Sequence, residues 1–120
     1  VYGVYDMAGG AWEYVAAVLS SKKSSGNYYN FTNIDTKYYE SYDSYDNSKY
    51  GDAVYETSTN SEGGNSWDNN HSCFVLESYP VFLRGGHAFS GGNAGVFAFT
   101  CDYGGINAGD SFRPCLVSPQ

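Results

Sequence analysis

Basic residues are scarce in this sequence. Six Lys and Arg stand against 13 Asp and Glu, giving a formal charge of −7. A chain so poor in cations has nothing to neutralise a run of phosphates, which argues against nucleic acid and against insertion at an anionic membrane surface as partners. Long apolar runs are also missing: the longest, Val15–Leu19, suits a buried strand and falls far short of the roughly 20 residues of a membrane span. No segment has the form of an export signal. The chain opens at Val1 without a Met, so the expectation is a processed product or the C-terminal part of a longer protein, with any signal or anchor upstream. Cysteine is sparse and odd in number: Cys73, Cys101 and Cys115. None sits in a Cys-x-x-Cys pair, and His71-x-Cys73 is too thin for a zinc site, which needs about four ligands. At least one thiol should be free or pair outside the chain, and no metal or cofactor is expected.

What the chain has in excess is aromatic surface. Phe, Trp and Tyr make up 18% of it, and 13 of these residues are Tyr. Tyr buries apolar area, keeps a polar tip and freezes few torsions, so it serves interfaces as readily as cores. At 120 residues the expectation is a single domain, 1–120. The short β-branched run within Ala11–Leu19, bounded by Gly and Ser, reads as a strand. Ser20–Asn60 is polar and Tyr-rich without a clean period, which predicts long loops pinned by their own aromatics. Its best helical stretch is Asp35 to Tyr45, with Asp35 as N-cap and Tyr38, Tyr39 and Tyr42 along one side. Further strands are expected at Cys73–Leu76, Tyr79–Leu83 with Pro80 at an edge or start, Ala94–Thr100, and Phe112–Val117. Glycines at 85, 86, 91, 92, 95, 104, 105 and 109 punctuate the tail. The pattern is that of a β-rich α+β domain with an irregular loop face.

Three separated blocks carry a family likeness. Val4-Tyr5-Asp6-Met7-Ala8-Gly9-Gly10-Ala11-Trp12-Glu13-Tyr14-Val15, Phe82-Leu83-Arg84-Gly85-Gly86 and Ser111-Phe112-Arg113-Pro114 together resemble the formylglycine-generating-enzyme-like (sulfatase-modifying-factor) domains. The resemblance implies their C-type-lectin-like fold with long irregular loops. Asn93-Ala94-Gly95-Val96-Phe97-Ala98-Phe99 and Ser111 to Leu116 narrow the likeness to the variable proteins of diversity-generating retroelements, including pilin-borne and phage-borne relatives. In these, a retroelement rewrites adenines of a C-terminal cassette, and the rewritten Asn codons never encode Lys, Glu, Gln, Met or Trp. From Leu83 to Pro119 none of these five occurs, although the first 82 residues hold four Lys, five Glu, two Trp and one Met. A Gly-rich edge of the fold that excludes long side chains would leave the same trace.

The resemblance implies a fixed framework, Arg84–Gly86, Ala94–Phe99 and Ser111–Pro114, with variable positions between. Those positions, His87, Phe89, Ser90, Thr100, Cys101, Asp102, Tyr103, Gly105, Asn107, Gly109 and Asp110, are the candidate ligand contacts, with Phe89 and Tyr103 as aromatic anchors. Arg84 and Arg113 are expected to tie loops together, with Glu13 a candidate partner. The implied function is non-enzymatic binding of a protein or glycan on another surface, by a domain displayed on a cell, pilus or virion. The enzyme alternative, a formylglycine-generating-type oxidase, needs two neighbouring sulfurs. Near the end of the chain only Cys101 is in place, with Cys115 one residue off the family position. Relatives also carry a calcium-binding Asn where Gly10 stands, which puts that site in doubt. A purely structural surface module is the third reading.

Overall fold

The apolar run near the start of the chain forms β1, Trp12–Leu19. The computed structural model describes residues 9–43, 54, 64–91 and 94–112. Strand β1 pairs in parallel with β2 (Glu40–Tyr42) at its C-terminal end and with β7 (Asp110–Ser111) at its N-terminal end. Its other edge takes β5 (Val81–Arg84) antiparallel, with a register shift between Tyr14 and Val18. Beyond β5 lie β6 (Phe99–Asp102), β4 (His71–Ser72) and β3 (Gly64–Asn65), completing a seven-stranded mixed sheet. This is a β-rich architecture, and its helical parts among the described residues are short 3-10 turns and the single position Val54. No helix there is long and apolar enough to cross a membrane.

Ala17, Val18 and Leu19 are all buried. Alternation along a strand sends them to opposite faces, so both faces need cover. Ala17 and Leu19 join Tyr42, Phe74, Val75, Phe82 and Phe99 in one cluster. Phe82 is its hub, edge-on to Tyr42, Phe74 and Phe99 at ring separations of 5.1, 5.4 and 6.0 Å. Val18 joins Tyr39 and Val81 in a second cluster, flanked by Tyr14, Tyr29 and Phe31. The Tyr-rich loops therefore supply cover for the second face, as their composition predicts.

Several expected elements are shorter or displaced. Asp35 does cap a turn, its carboxylate accepting from the Lys37 amide at 3.1 Å, but only the 3-10 turn Thr36–Tyr38 follows. A helix over Asp35–Tyr45 does not form because Tyr39 and Tyr42 are buried in different clusters, which one helix face cannot serve. The backbone instead becomes extended at Tyr39 and pairs with β1. The strand expected at Cys73–Leu76 lies earlier, at His71–Ser72. Phe74 and Val75 are consecutive and both buried, so they break alternation, and reciprocal amide–carbonyl bonds between Leu76 and Tyr79 close a turn. Pro80 does stand at a strand start, immediately before β5.

The strand expected at Ala94–Thr100 begins only at Phe99. Before it, the Ala98 amide donates to the Gly95 carbonyl in a turn. The Phe97 amide donates to Asn70 Oδ1 at 3.2 Å, and the Phe97 carbonyl accepts from Ser66 Oγ at 2.7 Å. These side chains satisfy backbone groups that a strand would have paired. At the end of the chain the pairing falls on Asp110–Ser111, with Phe112 beyond it and exposed. The Tyr5-Asp6-Met7 block, Asn93, and Arg113 through Val117 lie outside the described residues.

Candidate functional site

The Arg84-Gly85-Gly86 segment ends β5 and redirects the chain. Gly85 and Gly86 both have positive φ, at 86° and 71°. Gly85 exchanges backbone bonds with two other segments: its amide donates to Ala98 and its carbonyl accepts from Gly9. One residue earlier, Arg84 Nη2 donates to Glu13 Oε2 at 2.7 Å, and Glu13 is only 5% exposed. The Glu13 partnership expected for Arg84 is thus present, between adjacent strands β1 and β5, where Glu13 is opposite Arg84 in register.

On the opposite face from that ion pair, alternation places Leu83, Thr100 and Asp102 side by side, since Leu83 pairs with Thr100 in register. Over them opens a hollow of about 350 Å³, bordered by Trp12, Leu83, His87, Thr100, Cys101, Asp102, Asn107, Gly109 and Asp110. The Trp12 ring meets His87 edge-on at 6.0 Å and His71 at 6.3 Å. His71 Nε2 lies 3.3 Å from Thr100 Oγ1, and burial lowers the His71 pKa. The wall made by residues 107–111 is fixed to β1: the Trp12 amide donates to the Gly109 carbonyl at 2.9 Å, and Ser111 Oγ donates to the Trp12 carbonyl at 3.2 Å.

Tyr14 knits the acidic side of this hollow. Its hydroxyl lies 2.7 Å from Asp102 Oδ1, 2.7 Å from the Gly105 carbonyl and 3.5 Å from Asp110 Oδ2. A phenol has one proton, so these acceptors compete for it. Burial first, then the bond to Asp102, drives the Tyr14 pKa well above the ordinary phenol range. Asp110 is pushed up as well, by burial and then by the Asp102 charge, while Asn107, Tyr14 and His87 act the other way. Asp102 Oδ1 also accepts from the Gly104 amide at 2.7 Å. The arrangement presents hydrogen-bond acceptors beside an aromatic edge, chemistry suited to orienting a polar ligand.

No protein-family model matches the chain, and no curated protein or solved structure matches it. The site therefore has to be read from its own geometry.

Among the residues singled out in the sequence, His87, Thr100, Cys101, Asp102, Asn107, Gly109 and Asp110 border this one hollow. Phe89 and Ser90 stand beside it in the loop after His87: the Ser90 hydroxyl accepts from the His87 amide at 3.1 Å, and the Phe89 ring meets the His87 ring at 5.9 Å. Phe89 is 95% exposed. Two of the residues present little side chain to this hollow. Cys101 touches the hollow, but its side chain packs on the far face against the Phe82 cluster, 2.7 Å from Cys73 Sγ. Gly105 is buried, and a Cβ there would come 2.1 Å from the Tyr103 ring, so a side chain at 105 would have to displace that ring before it reached a ligand. Cys101 has a sulfur neighbour that lies outside the tail, because sheet pairing brings β4 and the following Cys73 alongside β6.

Tyr103 meets Tyr28, which borders a second hollow, edge-on at 5.7 Å. That hollow, also about 350 Å³, is bordered by Tyr14, Val15, Tyr28, Tyr29, Phe31, Val81, Gly104, Gly105, Ile106, Asn107, Asp110, Ser111 and Phe112. It shares Asn107 and Asp110 with the first. Sequence reasoning missed Trp12, Tyr28, Tyr29 and Ile106 as neighbours of the site. Ile106, 97% exposed, did carry a signal: an aliphatic side chain inside a Gly/Asn/Asp loop has no strand to bury it.

Proposed function

We propose that this chain is a non-enzymatic binding domain whose ligand face is the loop surface formed by residues 87–90 and 100–112. One observation carries the reading: residues separated along the tail gather with Trp12 around one hollow beside exposed aromatics. Polar acceptors in a cleft with Phe89 beside it, and Tyr103 and Ile106 near the adjoining hollow, form the usual anatomy of a recognition surface, where aromatic anchors supply most of the binding energy. The C-type-lectin-like fold, the diversified cassette and display on a cell, pilus or virion belong to this proposal. They rest on the resemblance in the framework blocks and on the missing residue types after Leu83.

Two experiments test it. Genomic sequence around the coding region should contain a near-copy of the Leu83–Leu116 stretch that differs only at adenines, close to a reverse-transcriptase gene. Without such a copy the diversification reading fails. For binding, the chain is applied to a glycan array and to intact bacterial cells. Against whichever target retains it, Phe89→Ala combined with Tyr103→Ala should weaken binding at least tenfold, the usual effect of losing an anchor, and unchanged affinity would remove both residues from the contact surface.

The oxidase reading calls for two closely spaced Cys before the final Phe-Arg, and Cys101 stands there alone; Cys73, 28 positions earlier, meets it in space. Cys101 packs against the Phe82 cluster, on the face opposite the hollow, which favours the binding reading over an active sulfur in that hollow.

A further inference from the structure

Cys73 immediately follows β4, and its amide donates to the Phe99 carbonyl at 3.2 Å. Cys101 lies in the neighbouring strand β6, whose Phe99 is opposite Ser72 in register. The two sulfurs are 2.7 Å apart and partly exposed. A disulfide needs about 2.05 Å, so closure requires an approach of under ~1 Å from backbones already held by the sheet. Nothing in the proposed ligand surface uses these sulfurs.

We propose that Cys73 and Cys101 are a redox pair that closes to an intrachain disulfide and so locks β6 to the end of β4. Against a low-molecular-weight disulfide such as oxidised glutathione, both S–H bonds and the S–S bond of the oxidant break. One intrachain S–S bond forms, and two reduced thiols leave carrying the two protons. The electrons pass from the two protein sulfurs to the oxidant. In the reduced state the Cys73 contact and then burial push the Cys101 thiol up, so it holds its proton at neutral pH and closure is slow without an exchange partner. The bond would enclose Pro80–Arg84 and the Gly-rich loop within one covalent ring. Because Cys101 separates Thr100 from Asp102, the ring would also fix the strand that floors the hollow. The proposal is independent of the ligand assignment.

The test uses the full chain, incubated with oxidised or with reduced glutathione, blocked with N-ethylmaleimide and digested with chymotrypsin. Cleavage after Tyr103 and Phe112 separates Cys101 from Cys115, which trypsin would leave joined across Arg113-Pro114. The expected result is an intact mass, taken before blocking, lower by two hydrogen atoms, a linked peptide pair containing Cys73 and Cys101, and Cys115 alkylated. Closing a ring of this size should raise the melting temperature by about 10 °C. Cys115→Ser should retain both the link and the shift, and Cys101→Ser should lose both. A bridge through Cys115, or alkylation of both Cys73 and Cys101 after oxidation, would overturn the proposal. The peptide map of the unaltered chain decides this even if a variant fails to fold.

Discussion

Glu13 and Arg84 meet where two strands cross the base of the loop face, and the energetic weight of that pair follows from where it sits. A carboxylate only 5% exposed has surrendered most of its hydration, and the guanidinium 2.7 Å away returns part of it as a charge-assisted hydrogen bond. Removing one partner of such a pair costs far more than the pair contributes over apolar replacements, because the remaining charge stays in place. Arg84→Met should therefore destabilise the chain by about 3 kcal/mol in urea denaturation. Arg84→Lys should recover only part, since an ammonium lacks the planar fork. Lys37 and Asp35 provide the contrast. Their contact is 3.3 Å, but both side chains are more than half exposed, so Lys37→Met should stay within about 0.5 kcal/mol of the unaltered chain. If the two Met variants prove equally mild, burial is not what gives the Glu13 pair its weight.

At the scale of elements, the loop after β5 depends on Gly86 more than on Gly91. A Cβ at Gly86 would stand 2.7 Å from Ala94 Cβ and 2.9 Å from Ala94 Cα, at a φ of +71°. At Gly91 φ is +57°, but nothing lies within 4 Å. Both substitutions to Ala incur left-handed strain of about 1–2 kcal/mol; only Gly86→Ala adds a clash with backbone. Gly86→Ala should thus cost roughly 3 kcal/mol and Gly91→Ala roughly 1, measured as urea midpoints, and equal losses would show that the Ala94 contact is unimportant. The same contact shows what was legible in the sequence. β1 was readable because its apolar run is short, β-branched at Val15 and Val18, and bounded by Gly and Ser. The Glu13–Arg84 pair was readable because a lone Glu in an apolar block needs a cation. The tail residues stood out as a group only through the family resemblance, which implies variable positions between its framework blocks. What was not readable depended on long-range satisfaction. Asn70 and Ser66 take the backbone groups of Phe97, and this turned an apparently regular Ala94–Thr100 strand into a turn. Likewise Cys73 and Cys101 are 28 positions apart, and no local pattern announces that β4 will lie against β6.

Across the whole molecule, acidity and one buried imidazole should shape stability in opposite directions. Burial lowers the His71 pKa from its ordinary 6.5, so the unfolded chain binds that proton at higher pH than the folded chain does. Stability from neutral His71 is therefore complete above about pH 6.5 and falls as pH drops from there to the lowered value. Asp110 works the other way. Its pKa is raised above the ordinary 3.8, chiefly by burial, so the folded chain takes up that proton first. Its ionisation costs stability progressively from pH 3.8 up to the raised value, and acidification through that window restores it. The unaltered chain reports the sum of both, which can look flat. His71→Gln keeps a polar group near Thr100 while removing the titration. Urea midpoints for the two proteins between about pH 5 and pH 8 should run parallel above pH 6.5 and draw together below it, as the unaltered chain alone loses ground. A gap that stays constant through the acidic range would mean that His71 accepts its proton in the folded chain as easily as in the unfolded one, and that the Trp12 and Thr100 contacts leave it hydrated.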